Sequence, residues 1–192
     1  MNEFIPGTYR NSVAYEDMNG NGYIDILVCG YSTENTPITE LYKNDGNGNY
    51  SLVFDTPFEN VISGSVTIFD FDGDGKEDVF LTGFNSDHQR IAKLYKNLGN
   101  YEFSEVPNTI FTPINFSDAA AADVNGDGEL DLLLSGYADN NERITELYIN
   151  NGNGDFTLSS ASFVGVSSGT VNFADVNNDN YPDVFITGEK ED

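Results

Sequence analysis

Four short stretches of this chain carry oxygen-bearing side chains at the same spacing. Each is nine residues long, is rich in Asp, Asn and Gly, and leads into an apolar run that ends in Gly. The stretches begin at Asp17, Asp70, Asp123 and Asp175, which are 53, 53 and 52 residues apart. A fixed period of this size predicts a repeat architecture.

Asp or Asn occupies positions 1, 3, 5 and 9 of every stretch. In chain order these residues are Asp17, Asn19, Asn21 and Asp25; Asp70, Asp72, Asp74 and Asp78; Asp123, Asn125, Asp127 and Asp131; and Asp175, Asn177, Asp179 and Asp183. This arrangement suits a hard cation, because calcium takes six to eight oxygen ligands from carboxylate, amide and backbone carbonyl groups. Alternate residues of a tight loop can turn their oxygens toward one centre.

Two further positions of each loop fit the same interpretation. Position 6 needs a residue that tolerates positive φ, and it is Gly22, Gly75, Gly128 and Asn180. Position 7 would contribute its backbone carbonyl, so its side chain can vary; it is Tyr23, Lys76, Glu129 and Tyr181. We therefore predict up to four Ca²⁺ ions, one in each loop.

The loops differ from an EF-hand at position 12. An EF-hand needs a bidentate Glu there, whereas this chain has Val28, Leu81, Leu134 and Ile186. The loop must therefore close at the Asp of position 9, and a strand follows it. The alternative is that these are only hairpin turns, because Asn-Gly and Asp-Gly favour hairpins in their own right. Four copies that each keep oxygen at all four positions favour the metal interpretation.

Composition excludes several classes of protein. The 192 residues suffice for one domain with a core, and 14 Phe, 11 Tyr and 19 Gly favour short strands and many turns. A net charge of −24 argues against nucleic acid and anionic membrane surfaces as partners. No apolar run reaches the roughly 18 residues of a membrane span, so no membrane insertion is predicted.

The residues that most often carry catalysis are scarce. Cys29 is the only cysteine and lies in an apolar run, which predicts a buried, inert thiol and no intrachain disulfide. His88 is the only histidine and lies in a polar segment, where we expect a solvated loop residue. Because most paired carboxylates are assigned to metal, we predict no catalytic residues and no enzyme activity. Calcium acting as a Lewis acid in catalysis is the alternative.

The same four apolar segments recur in each period, separated by turn residues. In the second unit they cover residues 66–71, 79–82, 91–96 and 101–106. Four short strands in a repeat of about 50 residues are typical of a β-propeller blade. We therefore predict an all-β chain of four-stranded antiparallel blades, forming a single partial propeller domain over residues 1–192. Its blades cover 11–57, 64–107 and 117–160, with a half-blade at 169–188, or about three and a half blades.

The chain resembles the FG-GAP or VCBS-type repeat family, whose calcium-loop propeller blades occur in bacterial surface and secreted proteins and in the integrin α-subunit head. The resemblance covers residues 11–188, and the Asp-rich loop before a strand ending in Gly carries it. It implies that the loop joins the first two strands of a blade and binds calcium through the residues above. It also implies a non-catalytic recognition or adhesion module of a secreted or cell-surface protein, binding a glycan or a protein.

Two other functions stay open. Some polysaccharide lyases are built on similar propellers, so the chain could be the propeller portion of a calcium-dependent, lyase-like enzyme acting on polysaccharides. It could also be a purely structural spacer or assembly element. Residues 1–10 do not resemble a signal peptide, so an exported protein would have lost its signal from this sequence.

Propellers close with four to eight blades, and this chain has fewer. We expect it to be part of a larger ring or to close by pairing with a second copy, most simply as a dimer. In an up-and-down blade the Asp-rich loops and the Asn-Gly turns share one face. The opposite face would collect segments 31–37, 84–90 and 137–143. Four aromatics on the blade connections are either ligand platforms or plugs between blades: Phe58, Phe111, Phe116 and Phe163.

Overall fold

The computed structural model describes residues 5, 7–139 and 142–190. This part of the chain is built of antiparallel strands without an α-helix, and none of its elements is a helix that could span a membrane. The predicted domain of residues 1–192 extends at both ends into residues outside the described part.

Three four-stranded units and one strand pair follow each other along the chain. The first unit contains β1 (Tyr9–Glu16), β2 (Asp25–Tyr31), β3 (Pro37–Asn44) and β4 (Tyr50–Leu52). After β5 (Val61–Ile62), the second contains β6 (Val66–Phe69), β7 (Asp78–Asn85), β8 (Arg90–Gly99) and β9 (Glu102–Glu105). The third contains β10 (Asn115–Ala122), β11 (Asp131–Tyr137), β12 (Arg143–Asn150) and β13 (Phe156–Leu158), and the last pair is β14 (Val171–Ala174) with β15 (Asp183–Ile186).

Within each unit, strands pair in chain order, which confirms the predicted antiparallel blades. The described blades form a partial propeller and not a closed ring. The short strand β5 pairs with β3 of the first blade and β7 of the second, and so joins these two blades into one sheet. Sequence reasoning placed its residues in a blade connection and did not predict this strand.

The second strand of each complete blade is buried on both faces, as its continuous apolar run predicts. In β7, Val79 and Leu81 pack in the cluster shared with the first blade, while Phe80 packs in the cluster shared with the third. All three side chains are fully buried. The blades are thus held together mainly by apolar side chains that alternate along these strands.

The first strands lie side by side across the blades, as expected of innermost strands. A line of backbone hydrogen bonds joins residues at the same repeat position: Ser63 N–H donates to the Arg10 carbonyl at 2.9 Å, Phe116 N–H to Ser63 at 2.5 Å, and Ser168 N–H to Phe116 at 2.8 Å. All four residues have φ between 47° and 52°. This shared left-handed conformation turns the backbone so that each blade bonds to the next.

The connection aromatics have divided roles. Phe58 and Phe111 are buried between blades, with Phe58 edge-on to Tyr95 at 5.2 Å and Phe111 edge-on to Phe80 at 4.9 Å. The ligand-platform interpretation is therefore wrong for these two, because their rings fill the space where adjacent blades meet. Phe163 is partly buried against the third blade and the last strand pair, whereas Phe116 is 42% exposed and lies in β10, not on a connection as predicted.

Gly64, in the connection into β6, provides a test of blade packing. A Cβ at this position would lie 1.8 Å from the backbone carbonyl oxygen of Thr82, which cannot move without disturbing β7. We expect Gly64→Ala to lower the free energy of unfolding by about 3 kcal/mol or more, because the backbone of β7 cannot move to accommodate the added methyl group. Urea denaturation measures the change, with Gly7→Ala as the control because nothing lies within 4 Å of its added Cβ. Equal stability of the two variants would contradict this packing.

Asp118, on β10, gives a pH-dependent test of the contact between the third and fourth blades. Burial raises the pKa of its carboxyl, even though Val171 N–H donates to it at 3.0 Å. A folded-state pKa above the unfolded one favours folding at low pH, and this contribution is lost as pH rises through the folded-state pKa. The first blade has Ser12 here, which accepts the equivalent N–H, from Val66, at 3.2 Å. We therefore expect Asp118→Ser to increase stability at pH 7 and to do so less at pH 4. An effect of equal size in urea denaturation at both pH values would refute this assignment.

Candidate metal sites

The four Asp-rich loops join the first and second strands of their blades, where the sequence placed them. Position 6 has the expected positive φ, at 87°, 80°, 93° and 69° for Gly22, Gly75, Gly128 and Asn180. Position 4 is also left-handed, including Asn178 at 59°. Asn tolerates this conformation better than most non-glycine residues, so the fourth loop keeps its shape with Asn in place of both glycines.

The Asp at position 1 organises each loop from within. Asp70 accepts the backbone N–H groups of Asp74 at 3.2 Å and Gly75 at 2.8 Å. Asp17, Asp123 and Asp175 accept the same pair of N–H groups in their own loops. These bonds keep the position 1 carboxylate turned into the loop.

The Asp at position 9 connects the loop to the sheet. Asp78 is fully buried; one oxygen accepts Phe71 N–H at 3.1 Å and the other accepts Asn97 N–H at 2.7 Å. Asp25 and Asp131 make the same two bonds in their blades. Asp183 accepts Val176 N–H at 3.1 Å and is only partly buried.

An Asn on the third strand also holds the loops, and sequence reasoning missed this role. The Asn97 side chain donates to the Met18 carbonyl in the first blade's loop at 2.8 Å and to Glu77 in its own loop at 2.9 Å. Asn150 likewise donates to Phe71 of the second loop at 2.7 Å. The signal was the repeated pattern Ile-x-x-Leu-Tyr-x-Asn, whose Asn falls at a fixed distance from each loop. Loop shape thus depends on the next blade.

The second loop forms the strongest candidate metal site. Oxygens of Asp70, Asp72 and Asp78 lie within 4.8 Å of one another, and no other trio of acidic side chains comes this close in the described part of the chain. Oδ1 of Asp72 is buried without a hydrogen-bond partner. A buried carboxylate oxygen without a hydrogen-bond donor is suited to coordinate a cation, so these residues fit a hard metal ion.

The fourth predicted ligand of this loop has other partners. Asp74 pairs with the ammonium groups of Lys76 at 2.8 Å and Lys96 at 3.1 Å, and Lys96 also pairs with Asp72. The structure therefore brings together three of the four predicted side chains. Lys96 supplies positive charge beside the cluster, and a bound cation would compete with it for Asp72.

The electrostatics of the position 9 carboxylates also favour a cation. Burial, together with the negative charges of Asp72 and Asp70, raises the pKa of Asp78 to about 7. Burial also raises the pKa of Asp25 and of Asp131. In contrast, the hydrogen bond from Lys76 lowers the pKa of Asp74. Unlike Asp72 and Asp74, the position 9 carboxylates form no ion pair with a described residue, and a divalent ion would provide compensating positive charge.

Side chains at position 7 connect the loops to the Asn-Gly turns. A Cβ on Gly46 would lie 2.4 Å from the Tyr23 ring, and one on Gly152 would lie 3.7 Å from the Glu129 carboxylate. The loops and these turns therefore share one face of the blades, as predicted; we call it the loop face.

The two residues considered for catalysis are placed as expected. Cys29 is fully buried, and burial raises the pKa of its thiol to about 11. His88 is exposed on the opposite face, with its ring 5.9 Å from that of Phe84. Neither residue lies in an Asp-rich loop.

Comparison with known proteins identifies the family of these repeats. The family model for the FG-GAP-like repeat matches residues 17–81, 70–134 and 123–186, and each match begins at position 1 of an Asp-rich loop. A search of curated proteins found no match. Since the three matches together cover most of the chain, the protein belongs to the FG-GAP-like repeat family.

Proposed function

We propose that this chain is a calcium-stabilised, non-catalytic recognition or adhesion module of a secreted or cell-surface protein. FG-GAP-like repeats form β-propeller-type modules that commonly serve adhesion or recognition in extracellular or surface proteins, and membership in this family supports the class. The observation that carries the calcium part is the cluster of Asp70, Asp72 and Asp78, with the buried Asp72 oxygen that lacks a partner.

The residues of the second loop would hold the ion together. Asp70 is already turned inward by its two N–H donors, and Asp78 is fixed by Phe71 and Asn97. Bound calcium would supply the positive charge that these buried carboxylates lack. Because Asn97 also bonds the first blade's loop, order in one loop would be transmitted to its neighbour. The ion would thus stabilise the arrangement of blades that presents a ligand surface.

Binding to glycan and protein arrays tests this function. We expect reproducible binding to a restricted set of ligands that is lost when calcium is removed and returns when it is restored. Asp72→Asn should weaken binding at limiting calcium, whereas Asp87→Asn, at an exposed carboxylate outside the loops, should not. Absence of any calcium-dependent ligand would refute the recognition function, and turnover of an acidic polysaccharide by the purified chain would refute the non-catalytic part.

Self-association is a further part of the proposal. Large apolar side chains are exposed at the two outer blades: Tyr15 at 63% on the first, and Val176 at 61% and Phe185 at 46% on the last. Exposed apolar groups and unpaired strand edges favour pairing with another chain. We expect a dimer at micromolar concentration by light scattering, and Phe185→Ser should shift it toward monomer more than Leu98→Ser does, because Leu98 is exposed on the middle blade. A monodisperse monomer of the unsubstituted chain would contradict this proposal.

A further inference from the structure

A cavity of about 550 Å³ opens on the face opposite the loop face, between the first three blades. Its walls come from repeat-equivalent positions: Arg10, Ser63 and Phe116 on the first strands and blade connections, and Tyr31, Phe84 and Tyr137 at the ends of the second strands. A volume in this range is typical of pockets that bind small molecules. The sequence indicated the segments that form this face but not a cavity.

The aromatic walls are held in place. Tyr31 stacks on Tyr9 with ring centres 5.0 Å apart. The guanidinium of Arg90 lies 5.7 Å from the centre of the Phe84 ring and 5.4 Å from that of Tyr137. Arg90 is itself fixed, since it donates to Asn115 at 2.9 Å and Asp139 at 2.8 Å. These rings and Arg90 therefore form a rigid wall, which costs little ordering entropy when a ligand binds.

Phe116 and Arg10 are two of the exposed wall residues. Phe116 is 42% exposed although it is a large apolar side chain, and its backbone is fixed by the hydrogen bonds to Ser63 and Ser168. Arg10 is exposed; its carbonyl accepts Ser63 N–H, but its guanidinium forms no hydrogen bond or ion pair with another described residue. The cavity thus offers an apolar ring and the guanidinium of Arg10.

The charge of the molecule indicates what the Arg10 guanidinium could bind. The chain has 32 acidic residues and only eight Lys or Arg, and all three arginines lie on or beside this face. A net charge of −24 repels anions in general, so an anion needs a local cation to bind. Arg10 is therefore the place where a carboxylate could bind, since guanidinium groups pair with carboxylates in a planar, two-bond geometry.

We propose that this cavity binds a saccharide residue that carries a carboxylate, such as a uronic acid. The C–H face of such a sugar would lie on Phe116, its carboxylate would pair with Arg10, and its hydroxyls would bond polar groups of the wall such as Asn35. An acidic peptide would satisfy Arg10 but does not offer a ring with a C–H face for Phe116 and hydroxyls for the Asn35 amide. This inference rests on the recognition function proposed above and names its site and ligand class.

A matched pair of probes tests the assignment by calorimetric titration of the calcium-loaded chain. The probes are a galacturonic acid oligosaccharide and the same oligosaccharide with its carboxyl groups methyl-esterified. We expect esterification to weaken binding at least tenfold. Arg10→Gln should weaken binding of the acid at least tenfold and remove the difference between the two probes. Phe116→Asn, which suits positive φ, should weaken both probes at least tenfold. The controls Lys43→Gln and Phe54→Ala, outside the cavity, should change binding less than twofold.

Three results of the saccharide titrations would overturn this inference, and a fourth comes from a peptide probe. They are equal binding of acid and ester, binding of the acid that neither cavity variant alters, and no binding of the acid by the unsubstituted chain. A short Asp-containing peptide that binds through Arg10 in place of the saccharide would also show that the ligand class is wrong. None of these results touches the recognition function itself, which fails only if the array experiment finds no calcium-dependent ligand.

Discussion

Removing calcium from the protein is expected to lower its melting temperature by roughly 5–10 °C for each loop that loses an ion. A ligand that binds only the folded chain adds about 2.7 kcal/mol at a free concentration a hundredfold above its dissociation constant. One kcal/mol shifts the melting temperature of a chain of this size by about 2–4 °C. Two or three occupied loops would then rival a typical total stability of roughly 5–15 kcal/mol.

The physical reason lies in the buried carboxylates. Asp70, Asp72 and Asp78 approach within 4.8 Å, and Asp78 is fully buried, so their mutual repulsion opposes the tight turn. Thermal melting in calcium, in chelator and after calcium is restored measures the effect. Magnesium should substitute poorly, because it prefers a smaller octahedral shell and keeps its waters. A melting temperature that does not change once bound metal is shown to be gone would leave the loops as turns only.

Asp78→Ala is expected to destabilise the calcium-loaded chain by more than about 3 kcal/mol, whereas Asn21→Ala should cost about 1 kcal/mol or less. Asp78→Ala removes a predicted metal ligand and leaves the buried N–H groups of Phe71 and Asn97 without an acceptor. Asn21 is exposed and accepts only Tyr23 N–H at 2.8 Å among the described residues.

Urea denaturation of both variants with and without calcium separates the contributions. In chelator, Asp78→Ala should lower the free energy of unfolding by less than in calcium, because there the substitution also removes a buried charge that no cation compensates. The difference between the two conditions then measures the metal contribution at the second loop. Equal costs for Asp78→Ala in calcium and in chelator would show that this carboxylate acts only through its two backbone bonds.

The order of affinities among the loops stays a prediction. Asp at all four side-chain positions predicts that the second loop binds most tightly, and the two Asn of the first loop predict the weakest binding. The structure adds a competitor that the sequence could not reveal, since Lys96 pairs with both Asp72 and Asp74. The first blade has Lys43 and the third has Ile149 at the equivalent position. Lys96→Ile should therefore strengthen calcium binding at the second loop.

Features with a short sequence period could be predicted from the sequence. The repeated loops, the apolar run of β7 and the turn glycines predicted the blades, their strand order and the position of the loops. Contacts between blades could not be predicted in this way. Asn97 bonds Met18 across 79 residues, and β5 joins two blades with only Val61 and Ile62. Such contacts depend on how blades are placed relative to one another, which local patterns do not specify.

The aromatic residues show the same limit. Phe58 lies on a blade connection and Phe116 at the start of β10, and nothing in the local sequence distinguishes a ring that packs between blades from an exposed ring. Phe58 is buried because the space between Tyr95 and Phe103 closes around it. Phe116 is exposed: its left-handed backbone bonds to Ser63 and Ser168, which precede the neighbouring first strands, and its side chain lines the cavity.

Calcium binding by the second loop is tested most directly by calorimetric titration of calcium into the metal-free chain and into its Asp72→Asn variant. Asn keeps the shape of the side chain and removes the negative charge beside the unpartnered oxygen. We expect saturable calcium binding by the unsubstituted chain, at least one site weakened tenfold or more by Asp72→Asn, and no change with the exposed control Asp87→Asn. Absence of calcium binding, or identical titrations of the unsubstituted chain and Asp72→Asn, would contradict it.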